Sequence, residues 1–491
     1  MALPMPFDAP VSTATFPVKS KSSVEIISCP RCLSVKSPDN QFKRTCEQAV
    51  VNVPEDLHGL RSFVEAAVGP IEHLSRSAGG ASRITWFIET ATRACVLRVD
   101  PGDGPVADTP LTLAREASAY RALAGTGVLI PELIAEADTA LLLEMASGRP
   151  ELDHLTDDQR AGVLDSYVDA LAHLHGIDPS SGFEALDPPT DGREAALHNL
   201  ALWDGIFQSR VKRPSPLARF ANHWLRVHAP SDVDRLVVCH GDVGPGNFMH
   251  DDTRVTALLD WEFVHIGDPM DDLAWLAFRG HHLTAGIGSF DAQLKRWSRA
   301  TGMVVDRKRI AYYRITVMFI WLVSCLAALD NGARDHNRFT YINLISLLNV
   351  LLPRAMAEYQ GLTLADPDVS TLICQDHELT EQIHALADLV RISWPPGERP
   401  AELGVITLMA QQVERFSQLN QAIDRENSAA IARLIRGSGT VAGTSEAFDD
   451  WLEAGAFDDE PVLVLLYTNG VRRLHADTVM KPLADQPFIR L

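Results

Sequence analysis

Three side chains suited to metal and hydroxyl chemistry stand close together near the middle of the chain: Asp242, Asn247 and Asp260. Asp242 and Asn247 lie five positions apart in a Gly- and Pro-containing loop that follows the apolar run Val237-Val238-Cys239. Asp260 ends a second apolar run, Val255 to Leu259, and is followed by Trp261 and Glu262. Phosphoryl transfer needs a carboxylate to orient or deprotonate the attacking hydroxyl, and hard oxygen ligands for the Mg²⁺ that neutralises a triphosphate. An Asp, an amide and a second Asp supply both. Taken singly, His240 and Asp242 are equally a loop hydrogen bond, and Asp260 a turn cap. Their joint occurrence between apolar runs points to phosphoryl transfer, with His240 holding the loop rather than moving protons.

The order Asp, four intervening residues, Asn, then a later metal-binding Asp is that of phosphoryl-transfer sites built on a catalytic loop. The stretch His240-Gly241-Asp242 to Asn247, with Asp260-Trp261 beyond, resembles the aminoglycoside phosphotransferase and choline kinase family over about residues 57–355. The resemblance implies a two-lobed, protein-kinase-like α+β fold with ATP, or GTP, between a small β-rich lobe and a large, mainly helical one. By position it implies a catalytic Asp242, Mg²⁺ ligands Asn247 and Asp260, and Glu262 as a supporting residue. Asp268, Asp271 and Asp272 match the segment after the metal Asp, where acids mostly brace the loop.

The elements that must carry these groups are legible on either side. A helix including Leu60, Val64 and Val68 precedes two strands, Ile84–Glu89 and Ala94–Val99, and a helix runs from Leu111 to Leu123. A further strand pair ends at Leu142-Leu143-Glu144-Met145. Ser77 to Ser82, with Gly79 and Gly80, looks like the nucleotide-covering loop, since glycines let backbone N–H groups approach phosphates. Ser82 belongs to the same expected nucleotide site, although paired glycines also make ordinary turns. Arg98 stands where many relatives have a phosphate-contacting Lys, and Glu116 supplies its helix partner. A guanidinium can hold phosphate in two prongs, but it is not equivalent to Lys. Glu144 and Met145 are placed like an adenine-binding hinge, or equally like plain core strand.

Around this core the expected organisation is an N-terminal extension (1–55), a nucleotide-binding N-lobe (56–147), a catalytic and substrate-binding C-lobe (148–363) and a helical C-terminal domain (364–491). Residues 1–55 read as a disordered tail, or as a segment translated from an upstream start. After Thr156, apolar residues at three- and four-residue steps mark a buried helix face, and helices are expected across Pro216–His228, Asp291–Ala300, Arg309–Leu329 and Phe339–Gln360. The last segment carries no chemical motif and is expected to dock or oligomerise, making a homo-oligomer one outcome.

Composition bounds the partners. The 491 residues carry a formal net charge of −20, which opposes binding to nucleic acid, where cations must replace counterions along the phosphates. The longest apolar run, Ile315 to Leu329, is shorter than the roughly 20 residues that cross a bilayer and reads as a buried helix, so no membrane partner is expected. Seven scattered cysteines fit reduced thiols and a cytoplasmic setting. Cys29, Cys32 and Cys46 could begin a zinc site but lack a fourth ligand at useful spacing. The reading that results is a kinase acting on a hydroxyl of a small metabolite or aminoglycoside-like acceptor. Its alternatives are a catalytically weak nucleotide-binding regulatory protein and a metal-dependent phosphohydrolase.

Overall fold

The computed structural model describes residues 59–77, 83–102, 106–283, 287–331, 337–370, 372, 400–435, 443–455, 457–477, 480–489 and 491. Cys29, Cys32, Cys46, the 1–55 extension and the loop residues Gly79, Gly80 and Ser82 lie outside them. Of the seven cysteines, Cys95, Cys239 and Cys325 are described, and each is free and buried.

In the small lobe, α1 (Arg61–Val68) precedes β1 (Ile71–Arg76), β2 (Ile84–Thr90) and β3 (Ala94–Val99). Helix α2 (Leu113–Leu123) follows, then β4 (Leu133–Ala137) and β5 (Ala140–Glu144). The strands form one antiparallel sheet in the order β1-β2-β3-β5-β4. The two-residue period of a strand decides which side chains reach the site. Cys95, Leu97 and Val99 face one way, into a core with Trp86, Ile88 and the α1 residues Val64 and Val68. Arg98 therefore faces the other way. On that side α2 packs Leu113 and Ala117 against Leu141 of β5, and the same helical face buries Glu116 and Tyr120. The Thr112 hydroxyl accepts the Arg115 N–H and starts α2.

The large lobe opens with α3 (Asp157–Leu174), begun by a capping box between Thr156 and Gln159, and continues with α4 (Gly192–Arg210) and α5 (Pro216–Val227). Four short strands carry the motif residues: β6 (Val237–Cys239) pairs with β9 (His265–Gly267), and β7 (Phe248–His250) with β8 (Val255–Leu258). Beyond them α6 (Pro269–Trp275) runs into a π-helical turn, Leu276–His282, and α7 (Phe290–Thr301), α8 (Arg307–Asp330) and α9 (Asn337–Gln360) follow. Helices α8 and α9 are long and apolar enough to cross a membrane by length and composition. Their most apolar windows are 89% and 61% buried inside the protein, as in the core helices of a globular lobe.

The chain between the lobes is stitched to the β7–β8 hairpin. Arg149 and His250 exchange backbone hydrogen bonds of 3.0 Å, and the Thr256 hydroxyl donates to the Ser147 carbonyl at 2.6 Å.

The described C-terminal helices are α10 (Pro400–Ile435), α11 (Ser445–Glu453), α12 (Asp459–Ala476) and α13 (Lys481–Ala484). Sequence reading set 364–491 apart as a unit of its own. In the structure Ile431, Ile435, Phe448, Leu452, Val462 and Leu463 join the same continuous apolar core as α8 and α9. These six side chains are thus covered by the large lobe. Asp330, the last residue of α8, pairs with Arg213 at 2.6 Å and accepts the Lys212 N–H at 2.7 Å.

Candidate active site

Strand β6 delivers the chain into the loop His240 to Asn247, and two buried groups hold that loop in shape. The Asp272 carboxylate, on α6, accepts the N–H groups of His240 and Gly241, each at 2.8 Å. His175 supports the same carboxylate at 2.9 Å through Nε2, while its Nδ1 accepts the Trp297 indole N–H at 3.0 Å. The His175 tautomer is therefore the one protonated at Nε2. Burial pushes the Asp272 carboxyl up, but these hydrogen bonds and nearby histidines outweigh it, and its pKa lies below the usual range. Gly241 turns the loop at φ +79°, where an added Cβ would lie 2.2 Å from the Phe263 carbonyl oxygen, so no other residue fits.

His240 has both ring nitrogens committed to backbone. Nε2 meets the Leu259 carbonyl at 2.9 Å and Nδ1 accepts the Asp242 N–H at 3.3 Å. The ring thereby ties the loop to the end of β8 and leaves no nitrogen to shuttle protons.

Asp242 and Asn247 are buried, with 0% and 1% of their surfaces exposed. The Asn247 amide Nδ2 donates to Asp242 Oδ2 at 2.6 Å and to the Asp242 carbonyl at 3.0 Å. Burial pushes the Asp242 carboxyl above its ordinary value, opposed by a guanidinium, that of Arg279, whose Nη1 stands 2.7 Å from Asp242 Oδ1. Arg279 lies in the π-helical turn and was not anticipated from sequence. The one signal for it is a cation placed directly after the apolar run Leu273 to Phe278.

Asp260 follows β8 in the left-handed region, at φ +66°, a conformation unusual for a residue with a side chain. It joins the lobes. Arg98 reaches down from β3 to place Nη2 2.8 Å from Asp260 Oδ1, with Nε 3.5 Å from Glu116 Oε1. Burial works against the Arg98 charge, but Glu116 and Asp260, with Glu262 adding to them, outweigh it and raise its pKa. Burial raises the Glu116 carboxyl, with Arg98 opposing and a backbone hydrogen bond from Trp261 also lowering it. The expected cation–carboxylate pair between strand and helix is thus present with Arg in the cation position.

The residues fit a divalent cation. Asp260 Oδ2 is buried with no hydrogen-bond partner, which in a carboxylate marks room for a cation. Asn247 Oδ1 accepts from Arg279 Nη2 at 3.1 Å, leaving its second lone pair for a metal.

Other expected residues fall at the margins. Asp268 caps α6, accepting the Met270 N–H at 3.0 Å, and burial pushes its pKa to about 6. Glu144 ends β5 with its N–H on the Glu132 carbonyl, and the Met145 N–H bonds the Ala94 carbonyl. These two N–H groups are committed to the sheet, so adenine donors would have to come from residues after Met145. A cavity of about 200 Å³ lined by Lys212, Arg213, Asp449 and Asp450 shares no residue with this cleft.

The phosphotransferase enzyme family matches residues 73–313, a span that holds Arg98, Glu116, Asp242, Asn247, Asp260 and Arg279. Residues 73–313 belong to that family. Among curated relatives, acyl-CoA dehydrogenase family member 11 from Rattus norvegicus is 26% identical over 276 residues, covering 51% of this chain and 34% of that protein. The chain thus spans about a third of that relative's length. An aminoglycoside 3'-phosphotransferase from Streptomyces ribosidificus is 27% identical over 205 residues, covering 39% of this chain and 75% of that one. Among solved structures, a macrolide 2'-phosphotransferase from Brachybacterium faecium aligns with a TM-score of 0.41 at 18% identity, over 58% of this chain and 100% of that one. An aminoglycoside phosphotransferase in complex with ADP and hygromycin B aligns with a TM-score of 0.43 at 18% identity, over 62% and 98%.

Proposed function

We propose that this protein is a Mg²⁺- and ATP-dependent kinase that transfers the γ-phosphoryl group to a hydroxyl of a small molecule. The observation that carries the reading is the convergence of Asp242, Asn247 and Asp260 from the large lobe with the Arg98–Glu116 pair from the small lobe. Asp260 and Asn247 would hold the metal, which when bound neutralises charge on the triphosphate. Arg98, kept cationic by its two carboxylates, is suited to hold phosphate oxygens in two prongs. Asp242 orients the acceptor hydroxyl and takes its proton as the oxygen bonds to phosphorus and ADP leaves. The lone pairs of Asp242 not used by Asn247 and Arg279 serve that role.

The acceptor is a hydroxyl-bearing small molecule rather than a nucleic acid, consistent with the charge of −20. The relatives' names suggest two acceptor classes for a first screen, aminoglycosides and acyl-CoA compounds that carry a hydroxyl. The buried free thiols of Cys95, Cys239 and Cys325 support a cytoplasmic setting.

The test is acceptor-dependent ADP release over such a panel, with ATP and GTP as donors. Turnover that falls by about 10² to 10⁴ in Asp242→Ala, with nucleotide affinity kept, is the expected result. Nucleotide binding without transfer to any acceptor would instead favour a regulatory nucleotide-binding protein. Full activity in Asp242→Ala would reject the assigned base.

A further inference from the structure

The loop that holds Asp242 and Asn247 has a cation beneath it that the kinase reading does not by itself require. Arg279 is 1% exposed, and both ends of its guanidinium engage that loop. Nη1 meets Asp242 Oδ1 at 2.7 Å and donates to the Asp242 carbonyl at 2.8 Å. Nη2 donates to the Pro245 carbonyl at 3.2 Å and to Asn247 Oδ1 at 3.1 Å. One rigid fork thus touches both functional side chains and the backbone at each end of the turn between them.

We propose that Arg279 is a positioning residue that sets the side chains of Asp242 and Asn247 as one unit, the first for the acceptor hydroxyl and the second for the metal. The proposal rests on the kinase reading of the same cleft. Asp242 and Asn247 already share a 2.6 Å hydrogen bond through Oδ2 and Nδ2. The other side-chain oxygen of Asp242 and the amide oxygen of Asn247, both Oδ1, face Arg279. Arg279 engages both of those oxygens at once, Asn247 Oδ1 by a hydrogen bond and Asp242 Oδ1 as an ion pair. A planar fork with five donors can do so, whereas an ammonium on a flexible stem cannot span two acceptors and two carbonyls.

The local chain is shaped for this contact. A π-helical turn widens the helix by one residue per turn, and such turns recur where a side chain must be re-aimed. Here the turn Leu276–His282 carries Arg279 into the catalytic loop. Gly244 faces it from the loop, and a Cβ there would lie 2.8 Å from Arg279 Cδ and 2.9 Å from Cγ. The loop thus has a space that the arginine stem fills.

The experiment is isothermal titration of AMP-PNP into the wild-type protein, Arg279→Lys and Arg279→Gln, in EDTA and again in Mg²⁺, with thermal melts and ATP hydrolysis by water alongside. Affinity in EDTA should stay within about twofold in the variants, while the gain on adding Mg²⁺ falls by about tenfold, because Asn247 Oδ1 is no longer aimed. Hydrolysis should fall by about 30-fold or more in both variants, Lys giving little rescue. Folded variants that keep the wild-type Mg²⁺ gain and the wild-type hydrolysis rate would overturn the proposal. Variants that fail to fold would overturn it too, by making Arg279 a purely structural ion pair. A wild-type protein whose AMP-PNP affinity ignores Mg²⁺ would reject the kinase reading itself, a result distinguishable because it needs no variant.

Discussion

Asp260 combines three features that separate it from an ordinary turn residue: a left-handed backbone, a carboxylate oxygen with no hydrogen-bond partner, and an ion pair to the other lobe. Asp260→Ala should therefore weaken Mg·ATP binding by about tenfold or more while leaving metal-free nucleotide binding nearly unchanged, as measured by titration with and without Mg²⁺. Asp242, Asn247 and Asp260 were legible in sequence because their spacing is local and their chemistry specific. Arg98 and Glu116 were legible through the family resemblance, which the clear period of their strand and helix let be placed on this sequence. Arg279 was not, because its partner lies 37 positions away and a single arginine after an apolar run has no periodic signature. Sequence left Glu144 and Met145 open between hinge and core strand, because backbone pairing partners cannot be read from one strand; in the structure both N–H groups pair within the sheet.

At the scale of elements, the catalytic loop owes its shape to α6. Asp272 receives two loop N–H groups and His175, all buried, so removing the carboxylate strands three donors without water. Asp272→Ala should destabilise the protein by about 3 kcal/mol or more, read from denaturant unfolding, and should lower activity in the folded fraction as well. A loss confined to activity, with stability unchanged, would contradict the bracing role. Sequence period placed β2, β3 and α2 within a few residues, since alternating burial on β3 and three- and four-residue steps on α2 both survive into the structure. The short strand β1 and helix α4 were not singled out. In β1 only Ile71 is fully buried, and α4 carries a weak apolar stripe, so neither shows a clean pattern.

At the scale of the whole molecule, the C-terminal segment closes onto the large lobe around Phe488. The guanidinium carbons of Arg314 and Arg354 lie 4.1 and 4.8 Å from its ring centre, and the His282 ring is 5.2 Å away. Burial, with Arg354 and Arg314 adding to it, pushes His282 down to about 4. A histidine depressed in the folded state leaves the unfolded chain as the better proton binder between the two pKa values. Its contribution to stability is present above about pH 6.5 and is lost as pH falls toward 4. Melting temperature should fall across that window, and His282→Gln should flatten the fall, by up to about 3 kcal/mol at the acid end. Asp268 acts in the opposite sense: its pKa is raised to about 6, so protonating it on acidification favours the fold. An unchanged acid slope in His282→Gln would contradict the buried neutral histidine. The shared core of the C-terminal helices could not be read from sequence, because an apolar helix face does not say which neighbour will cover it. The central claim, a Mg-nucleotide site between the lobes, is tested most directly by melting the wild-type protein with ATP in EDTA and with ATP in Mg²⁺. At about 100 times the Mg·ATP dissociation constant, bound nucleotide should add roughly 2.7 kcal/mol, and the rise in melting temperature should be clearly larger in Mg²⁺ than in EDTA. Equal melting temperatures with and without Mg·ATP would contradict it.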